Sequence, residues 1–534
     1  MVSSTFVDAI SDPTQALEEL YAQNNAPDGF PARVSAHFTH IFASKDAFSE
    51  IPSIHAIDPR RTDRRLVKGR FMIQDNSASP ELYIRQRSDG KCGGWGLVDA
   101  STDDETAYAP PRDANELGEN TVVWAVNIPH ESNWVSAEID GPNAAPFTPP
   151  TVTESHPHKF PDSGARHLGV QVKVYDATLG DSLKATDVLT LVGIYSLEPV
   201  TADIESVHVP TLHVLFLQRL PETLVPRVFP AFTDASAVKS LRAELISWIA
   251  DAALAGDKLS AEWVLLSTIA RVQSRTPPIL PPSLTISNFP SSDTRPKLLF
   301  VLAQLFPIVD GLELSLDMIN TSSFAPESKN EDLHSGRLQL PRGSVCVVSE
   351  GGVTEGGIVQ RGMQNLQALQ NAMSSQTLDY VFPFSRFSFH TDISFVVLAE
   401  GRKSTFFQTH NIVPFKAETA DLLYGPVASV QLPSEEKLAL FRELVGGARL
   451  GKVTVDDDVA EHIQEDFVAE RKSAASPVEA VTSEDLIRRM TIARLIAMSF
   501  HTTVISRDIW EQVKALESRR KFRLDSVVVR SSKE

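Results

Sequence analysis

Cysteine is almost missing from this sequence. The 534 residues contain two cysteines, Cys92 and Cys346, which lie far apart in the chain. Neither has a neighbouring cysteine to complete a zinc-ligand pair, and two cysteines cannot form the disulfide framework of a small secreted domain. This near-absence favours a reducing compartment, the cytosol or the nucleus.

Long apolar runs are missing as well. No stretch approaches the roughly 18 apolar residues that a membrane-spanning helix needs. The first residues, Met1–Asp8, have neither the basic start nor the apolar centre of a secretory signal peptide. We therefore expect no membrane partner and no secretion signal.

Positive charge is scarce. Lysine and arginine total 50 against 68 aspartates and glutamates, which gives a net charge of −18. A protein whose main task is to grip nucleic-acid phosphates needs clustered Lys and Arg, so direct DNA binding is not expected, although a local basic patch stays open. With 42% hydrophobic residues, the chain can bury sizeable cores, and its length suggests about three or four domains.

The first part of the chain changes from a helical to a β pattern. Residues 1–57 form a helical segment in which Asp12-Pro13 predicts a helix start. Residues 58–220 contain several β-branched runs, interrupted by a proline-rich insertion at 137–163. Gly193 inside one run predicts a bulge or a sharp bend. These features predict a β domain resembling the oligonucleotide/oligosaccharide-binding (OB) barrel.

The second part alternates between buried strands and helices. Residues 236–425 predict an α/β domain, and residues 426–534 predict a helical region in which Ser483 caps a helix. The run Val345–Val348 is apolar throughout and bounded by turn residues, so it predicts a short strand buried on both faces. It ends at Ser349 and Glu350, where a nucleotide-hydrolysing α/β fold places the residues that hold Mg²⁺ and water.

The glycine-rich phosphate-binding motif G-x-x-x-x-G-K-[ST] is missing. The nearest match begins at Gly256, but its closing positions hold Ala261, Glu262 and Trp263. A carboxylate in place of the lysine repels phosphate, and tryptophan has no hydroxyl for Mg²⁺. Gly401–Ser404 has a similar ending without the preceding glycine. The sequence therefore predicts no nucleotide cofactor, with Gly256, Glu262 and Trp263 as a degenerate phosphate-binding segment.

Weaker patterns have simpler explanations. The letters Gly180-Asp-Ser-Leu183 occur in a family of esterases, but here they fall between two β runs and favour a surface turn. The close histidine pairs lack further ligands, so no metal site is expected. Solvated faces explain the basic runs better than import signals or DNA contacts. The histidine pairs are His37/His40 and His156/His158, and the basic runs are Arg60–Arg65 and Arg519–Lys521.

Several stretches together resemble the mini-chromosome-maintenance (MCM) complex-binding protein family, from about residue 65 to 523. Their order and spacing carry the resemblance, and no single short motif does. The stretches are Leu66–Asp75, Asn127–Val135, Val172–Gly193, Leu254–Leu266, Ser335–Leu340, Glu465–Lys472, Ala493–Ser499 and Trp510–Arg520.

The resemblance implies a particular architecture. That family is similar to the MCM helicase subunits themselves, with an OB-like part followed by a degenerate AAA+ ATPase-like part and a helical lid. Ser349 then stands where the helicases have their Mg²⁺-binding Asp, and Glu350 where they have Glu. Glu418–Leu422 and Thr482–Leu486 fall where two catalytic arginines are expected, without them.

The resemblance also implies a function. We expect a nuclear protein without enzymatic activity, cofactor or metal. It would bind MCM helicase subunits and assist their assembly, stability, remodelling or unloading during DNA replication, which supports sister-chromatid cohesion. The alternative is an OB-type module that binds single-stranded nucleic acid without catalytic activity. An esterase that uses Ser182 also stays open, and an ester-hydrolysis assay on Ser182→Ala would test it.

Overall fold

The structure is a computed structural model. It describes residues 9–23, 27–56, 64–97, 116–135, 156–162, 165–202, 205–219, 228–330, 332–353, 355–416, 420–473 and 481–531.

The described residues before the first strand include the short helices α1 (Pro13–Ala22), α2 (Phe30–Ile41) and α3 (Lys45–Ser49). The side chain of Asp12 accepts a hydrogen bond from the N–H of Gln15 at 3.0 Å and so caps α1, which confirms the predicted helix start. The helices cover one side of the β region, where Phe42 stacks on Phe216 with ring centroids 5.9 Å apart.

Five strands of the β region pair in a closed ring. The strands of this region are β1 (Leu66–Asp75), β2 (Glu81–Ile84), β3 (Leu117–Val126), β4 (Gly169–Val174), β5 (Val188–Ala202) and β6 (Glu205–Arg219), and α4 (Ala177–Asp181) joins β4 to β5. The ring runs β1-β5-β6-β4-β3 and back to β1, with only β4 and β6 parallel, and β2 extends it beside β3.

The predicted bulge at Gly193 is confirmed. The register between β5 and β6 shifts between Val192 and Gly193. A Cβ atom at Gly193 would lie 2.3 Å from the carbonyl oxygen of His213, so only glycine allows the two backbones to approach this closely.

The second half of the chain forms a helix-covered sheet with a small side sheet. Its elements up to residue 414 are α5 (Ala235–Ala253), α6 (Lys258–Ile269), β7 (Ser274–Arg275), β8 (Pro278–Ile279), β9 (Leu284–Ser287), α7 (Lys297–Leu305), β10 (Val309–Glu313), α8 (Leu316–Thr321), β11 (Glu327–Lys329), β12 (Asp332–His334), β13 (Ser344–Ser349), α9 (Gln360–Ser375), β14 (Thr377–Val381), β15 (Arg386–His390), β16 (Ile393–Leu398) and β17 (Asn411–Pro414).

The central sheet has five parallel strands in the order β10-β13-β16-β9-β17. On β13, Val345 and Val347 pack into the core formed with α5, α6 and α7, whereas Cys346 and Val348 pack into the core formed with α9. The predicted strand buried on both faces is confirmed. Because successive side chains of a strand point to opposite faces, β13 contributes apolar side chains alternately to the two cores on either face of the sheet.

The chain ends in a helical region. Its elements are α10 (Glu435–Leu450), β18 (Thr454–Val455), α11 (Asp457–Ser473), α12 (Ser483–Ser499), β19 (Val504–Ile505) and α13 (Arg507–Ser531). The N-cap of α12 is Thr482, which forms a capping box with Asp485, so the prediction of Ser483 as the cap is wrong by one residue.

The β region is joined to the α/β region by buried hydrogen bonds. Ser132 donates its N–H to the carbonyl of Pro307 at 2.8 Å and its hydroxyl to that of Phe306 at 2.6 Å. The indole of Trp134 donates to the carbonyl of Ala303 at 2.8 Å. These bonds satisfy the carbonyls at the end of α7 and fix the two regions against each other.

The whole is a mixed α/β protein with several sheets. Leu312–Met318 does not form one strand, because the hydroxyl of Ser315 caps α8 by accepting the N–H of Met318 at 3.1 Å. The predicted insertion at 137–163 lies mostly outside the described residues.

Candidate functional site

The carboxyl ends of the parallel strands define the candidate site. From β9 the chain runs to β10 at one edge of the sheet, and from β16 it runs past β9 to β17 at the other edge. Doubly wound sheets bind their ligands at the carboxyl edge where the winding direction reverses. Three segments meet there, residues 288–296 after β9, 350–353 after β13 and 399–410 after β16.

Glu350 follows β13 directly and is buried. One carboxylate oxygen accepts the hydroxyl of Ser404 at 2.5 Å and the N–H of Phe406 at 3.4 Å. The other accepts the N–H of Thr405 at 2.9 Å. Both oxygens of Glu350 are therefore engaged in holding the segment after β16.

Ser349 stands at the last position of β13. Its carbonyl oxygen accepts the N–H of Leu314 at 2.9 Å, which ties the end of β13 to the segment after β10. A serine hydroxyl carries no charge, and Mg²⁺ in phosphate-transfer sites is held by carboxylate oxygens. This position therefore supplies no negative charge for a divalent cation.

The segment after β9 contains no glycine. Its first two N–H groups are already bonded, that of Asn288 to the carbonyl of Gly401 and that of Phe289 to the carbonyl of Ala399, each at 2.9 Å. A phosphate-binding loop needs backbone N–H groups that point into an open cradle. Here the first two N–H groups are bonded to the segment after β16, so they do not point into an open cradle.

An aromatic cluster fills the same region. Phe289 is buried, with its ring 5.2 Å from that of Phe415 and 6.1 Å from that of Tyr424. Burial, together with the nearby charge of Glu400, raises the pKa of Tyr424 to about 12, so the hydroxyl stays protonated. It donates to the carbonyl of Pro290 at 2.5 Å.

Lys297 is a residue that the sequence comparison with phosphate-binding motifs did not identify. It is the first residue of α7, which follows β9, and so occupies the place of a phosphate-binding lysine in a strand–loop–helix unit. Pro296 precedes it and the buried Leu298 follows it. Proline lacks the N–H that glycine offers there, and leucine lacks a hydroxyl.

The structure places the segment of Gly256, Glu262 and Trp263 elsewhere. Gly256 lies in the turn between two helices, α5 and α6, with a φ of +84°, and not after a strand. Glu262 accepts hydrogen bonds from Arg242 at 2.9 Å and from Arg519 at 3.0 Å. Trp263 is buried on α6. Glu262 therefore connects helices, and none of the three residues belongs to the strand–loop–helix unit that follows β9.

Asp257, beside Gly256, is the main anchor of this second location. Its carboxylate accepts two hydrogen bonds from Arg523 of α13, at 2.6 and 2.8 Å, and one from the N–H of Lys416 at 3.1 Å. Burial alone would raise the pKa of Asp257, but the hydrogen bonds from Arg523 and Ser260 outweigh it and lower the pKa. Asp257 therefore stays ionised and fixes the last helix to α6.

The remaining sequence candidates belong to local structure. Ser182 donates its hydroxyl to the carbonyl of Leu179 at 2.6 Å and accepts from Arg219 at 2.8 Å. His158 lies 2.6 Å from a carboxylate oxygen of Asp332. Ser182 is therefore part of a local turn, and His158 is the partner of a carboxylate.

The basic run at the chain's end is largely neutralised. Arg519 pairs with Glu262 at 3.0 Å, and Arg520 pairs with Glu517 at 2.9 Å. The run Arg60–Arg65 lies mostly outside the described residues, and so does part of Glu418–Leu422. Within the described part of the chain, no three His, Cys, Asp or Glu side chains group as metal ligands. None of its helices has the length and apolar character to cross a bilayer.

Fold and site together define a mixed α/β protein whose parallel sheet has a filled carboxyl edge. Residues 136–524 match the family described as mini-chromosome maintenance replisome factor. Because this match spans more than half of the 534 residues, the chain belongs to that family.

Relatives named mini-chromosome maintenance complex-binding protein are similar over nearly their whole length. The Danio rerio protein is 26% identical, with 96% of this chain and 97% of the relative covered. The Homo sapiens protein is 24% identical, with 97% and 98% covered. The Arabidopsis thaliana protein is 23% identical, with 91% and 92% covered.

Proposed function

We propose that this chain is a non-enzymatic protein of the nucleus that binds MCM helicase subunits. It assists their assembly, stability, remodelling or unloading during DNA replication, and so supports sister-chromatid cohesion. The names of its relatives support the choice of partner. The engagement of both Glu350 oxygens by the segment after β16 carries the non-enzymatic part.

The scaffold is, in this proposal, that of a degenerate AAA+ ATPase preceded by an OB-like barrel. The order of the five parallel strands, with winding reversed between β16 and β9, supports the first part. The closed ring of five strands with α4 between β4 and β5 supports the second. In this proposal, the helices after residue 426 correspond to the helical lid of such an ATPase.

Such a scaffold can act by mimicry. Helicase subunits meet through ATPase-type interfaces in a ring. A protein with the same shape can occupy such an interface without completing a nucleotide site, because phosphoryl transfer requires cations around the phosphates. It would thereby hold single subunits or open a ring.

A steady-state ATPase assay on the purified chain tests the non-enzymatic part. We expect no turnover above buffer in the presence of Mg²⁺. Turnover that disappears in Glu350→Gln would contradict the proposal, because it would show that Glu350 orients an attacking water.

Affinity purification from a nuclear extract tests the partner. We expect MCM subunits among the recovered proteins identified by mass spectrometry. If the tagged chain is intact and nuclear but no MCM subunit is recovered, the result would contradict the proposed partner. The family membership would still stand.

Binding of single-stranded nucleic acid is the less favoured function. Lys173 on β4 pairs with both Glu81 and Glu198, each at 2.7 Å. A basic group held between two carboxylates is a poor phosphate contact, and the net charge of −18 repels a polyanion. A DNA affinity that weakens steeply with salt would favour this alternative.

A further inference from the structure

The small side sheet ends in an open strand at the surface. Its strand order is β12-β11-β14-β15, so β15 is the outermost strand. All residues of β15 are exposed except the half-buried Phe389. A strand at the edge of a sheet presents backbone donors and acceptors that can pair with a further strand.

The hairpin geometry fixes which groups of β15 face outward. At its tip, the N–H of Phe382 donates to the carbonyl of Ser385 at 2.9 Å. Hydrogen-bonded and non-hydrogen-bonded pairs alternate along an antiparallel ladder. Arg386, and then Ser388 and His390, therefore direct their N–H and C=O groups away from β14.

The side chains of β15 divide into two chemically different faces. Arg386, Ser388 and His390 lie on one face, because alternate residues of a strand share a face. Phe387 lies on the other face and is 61% exposed. At the hairpin tip, Phe384 is fully exposed. One face of the edge is polar and basic, and the other face is aromatic.

Further cations lie beside this edge. Burial lowers the pKa of His390, and the positive charges of Arg275, Arg342 and Lys184 lower it further. Arg275 also donates to the carbonyl of Thr391, the residue after His390, at 2.7 Å. Arg386 lies on the same polar face of β15. The one charged residue that β14 places opposite this face is Asp379, which accepts the hydroxyl of Ser388. The cations therefore outnumber the carboxylate beside this edge, in a chain that is otherwise acidic.

We propose that β15 is a docking edge for an extended segment of a partner protein in which acidic and apolar residues alternate. The segment pairs its backbone with Arg386, Ser388 and His390 and so adds a strand to the sheet. Its acidic side chains meet the basic face, and its apolar side chains cover Phe387 and Phe384.

A peptide strand is favoured over single-stranded nucleic acid for a structural reason. The outward groups of β15 form a row of alternating N–H donors and C=O acceptors, which matches another polypeptide backbone. Exposed aromatic rings and cations alone would also suit nucleic acid. The row of backbone groups therefore decides between the two. The inference concerns a surface separate from the carboxyl edge and does not depend on which protein supplies the segment.

Fluorescence anisotropy with the full-length chain tests this edge. The probe is a labelled short peptide of alternating glutamate and valine, and the control peptide has lysine in place of glutamate. Ser388→Pro removes one outward N–H without removing a bond to β14, and edge strands tolerate proline at such a position. Ser388→Ala is the matched control, because it loses the same hydroxyl contact to Asp379 but keeps the N–H. Labelled oligothymidylate is the third probe.

The acidic peptide is expected to bind and the lysine peptide not. Ser388→Pro should weaken binding about tenfold and Ser388→Ala less than about twofold. Arg386→Glu should also weaken it about tenfold, and amide exchange of β15 should slow when the peptide is present. The proposal fails if the acidic peptide does not bind, or if Ser388→Pro binds it like the parent. It also fails if oligothymidylate binds in its place and loses affinity in Arg386→Glu.

Discussion

At the scale of single residues, Glu350 shows how an acidic group at the end of a buried strand can become structural. Its carboxylate accepts three hydrogen bonds, from Ser404, Thr405 and Phe406. Glu350→Gln cannot keep all three bonds, because an amide offers only one acceptor oxygen.

Removal of the Glu350 carboxylate should destabilise the α/β region. We expect Glu350→Ala to lower the free energy of unfolding by about 1–3 kcal/mol, because buried donors lose their acceptor. Glu350→Gln should lose less. Denaturant titration measures the change, and Glu400→Gln, at an exposed carboxylate on the same edge, is the control. A Glu350→Ala variant as stable as the parent would contradict this role.

A charge inside β13 should unfold the region entirely. Val347 is 1% exposed, and its side chain packs against the helices that form one core with β13. Val347→Asp buries an unpaired charge, so we expect a loss of about 4 kcal/mol or more. Thermal unfolding followed by circular dichroism measures it. Val468→Asp, at a position 45% exposed on α11, should leave the melting temperature nearly unchanged, and equal effects would refute the core assignment.

At the scale of elements, the contact between α13 and the turn before α6 is the least expected feature. Asp257 and Arg523 form a bidentate ion pair in which the Asp257 side chain is fully buried. Without Asp257, the charge of Arg523 would keep only the carbonyl of Pro414, at 3.2 Å, of these acceptors, so breaking the pair is costly.

Asp257→Ala should therefore release α13. We expect a loss of about 3–5 kcal/mol in the free energy of unfolding and faster amide exchange along α13. Hydrogen exchange with mass spectrometry locates the effect. Asp251→Ala, at an exposed aspartate on α5, should not change exchange in α13. Unchanged protection of α13 in Asp257→Ala would show that apolar contacts alone hold the helix.

Patterns that act within a few residues could be predicted from the sequence. The Val345–Val348 strand follows from a β-branched apolar run between turn residues, and the Gly193 bulge follows from a glycine inside such a run. The start of α1 follows from Asp12 and Pro13. Each of these signals is local, so the rest of the chain is not needed to read it.

Features that depend on distant partners could not be predicted. Asp257 and Arg523 are 266 residues apart in the chain, and nothing near either one indicates the other. The position of Lys297 in a phosphate-binding type of strand–loop–helix unit follows only from the strand order, which places β9 at the point where the winding reverses. The nearest match to the glycine-rich phosphate-binding motif therefore fell at Gly256, which lies in the turn between two helices.

At the scale of the whole molecule, the β and α/β regions form one structure. Arg337 donates to Asp310 at 3.0 Å, and His130 of the β region lies 3.3 Å from the same carboxylate. Asp310 is fully buried on β10. A charged, buried contact therefore joins the β region to the central sheet.

Stability should fall in acid because of Glu198. Burial would raise the pKa of Glu198, but hydrogen bonds from His213 and Lys173 lower it to about 2, from 4.5. The group thus stabilises the fold fully above pH 4.5 and loses this contribution, roughly 2–3 kcal/mol, as the pH falls toward 2.

Denaturant titration at several pH values measures this contribution. Glu198→Gln should lower stability at pH 7 and flatten the decline between pH 4.5 and 2. Glu81→Gln, which removes the more exposed partner of Lys173, should keep the decline. A decline in Glu198→Gln as steep as in the parent would assign the acid sensitivity to other groups.

We propose that this family member, with its filled carboxyl edge, binds MCM subunits without nucleotide. Size-exclusion chromatography of the purified chain with each purified MCM subunit, in buffer without ATP, measures this binding. We expect co-elution with at least one subunit, unchanged when ATP and Mg²⁺ are added. Separate elution from every subunit, or co-elution that requires ATP and is lost in Glu350→Gln, would contradict it.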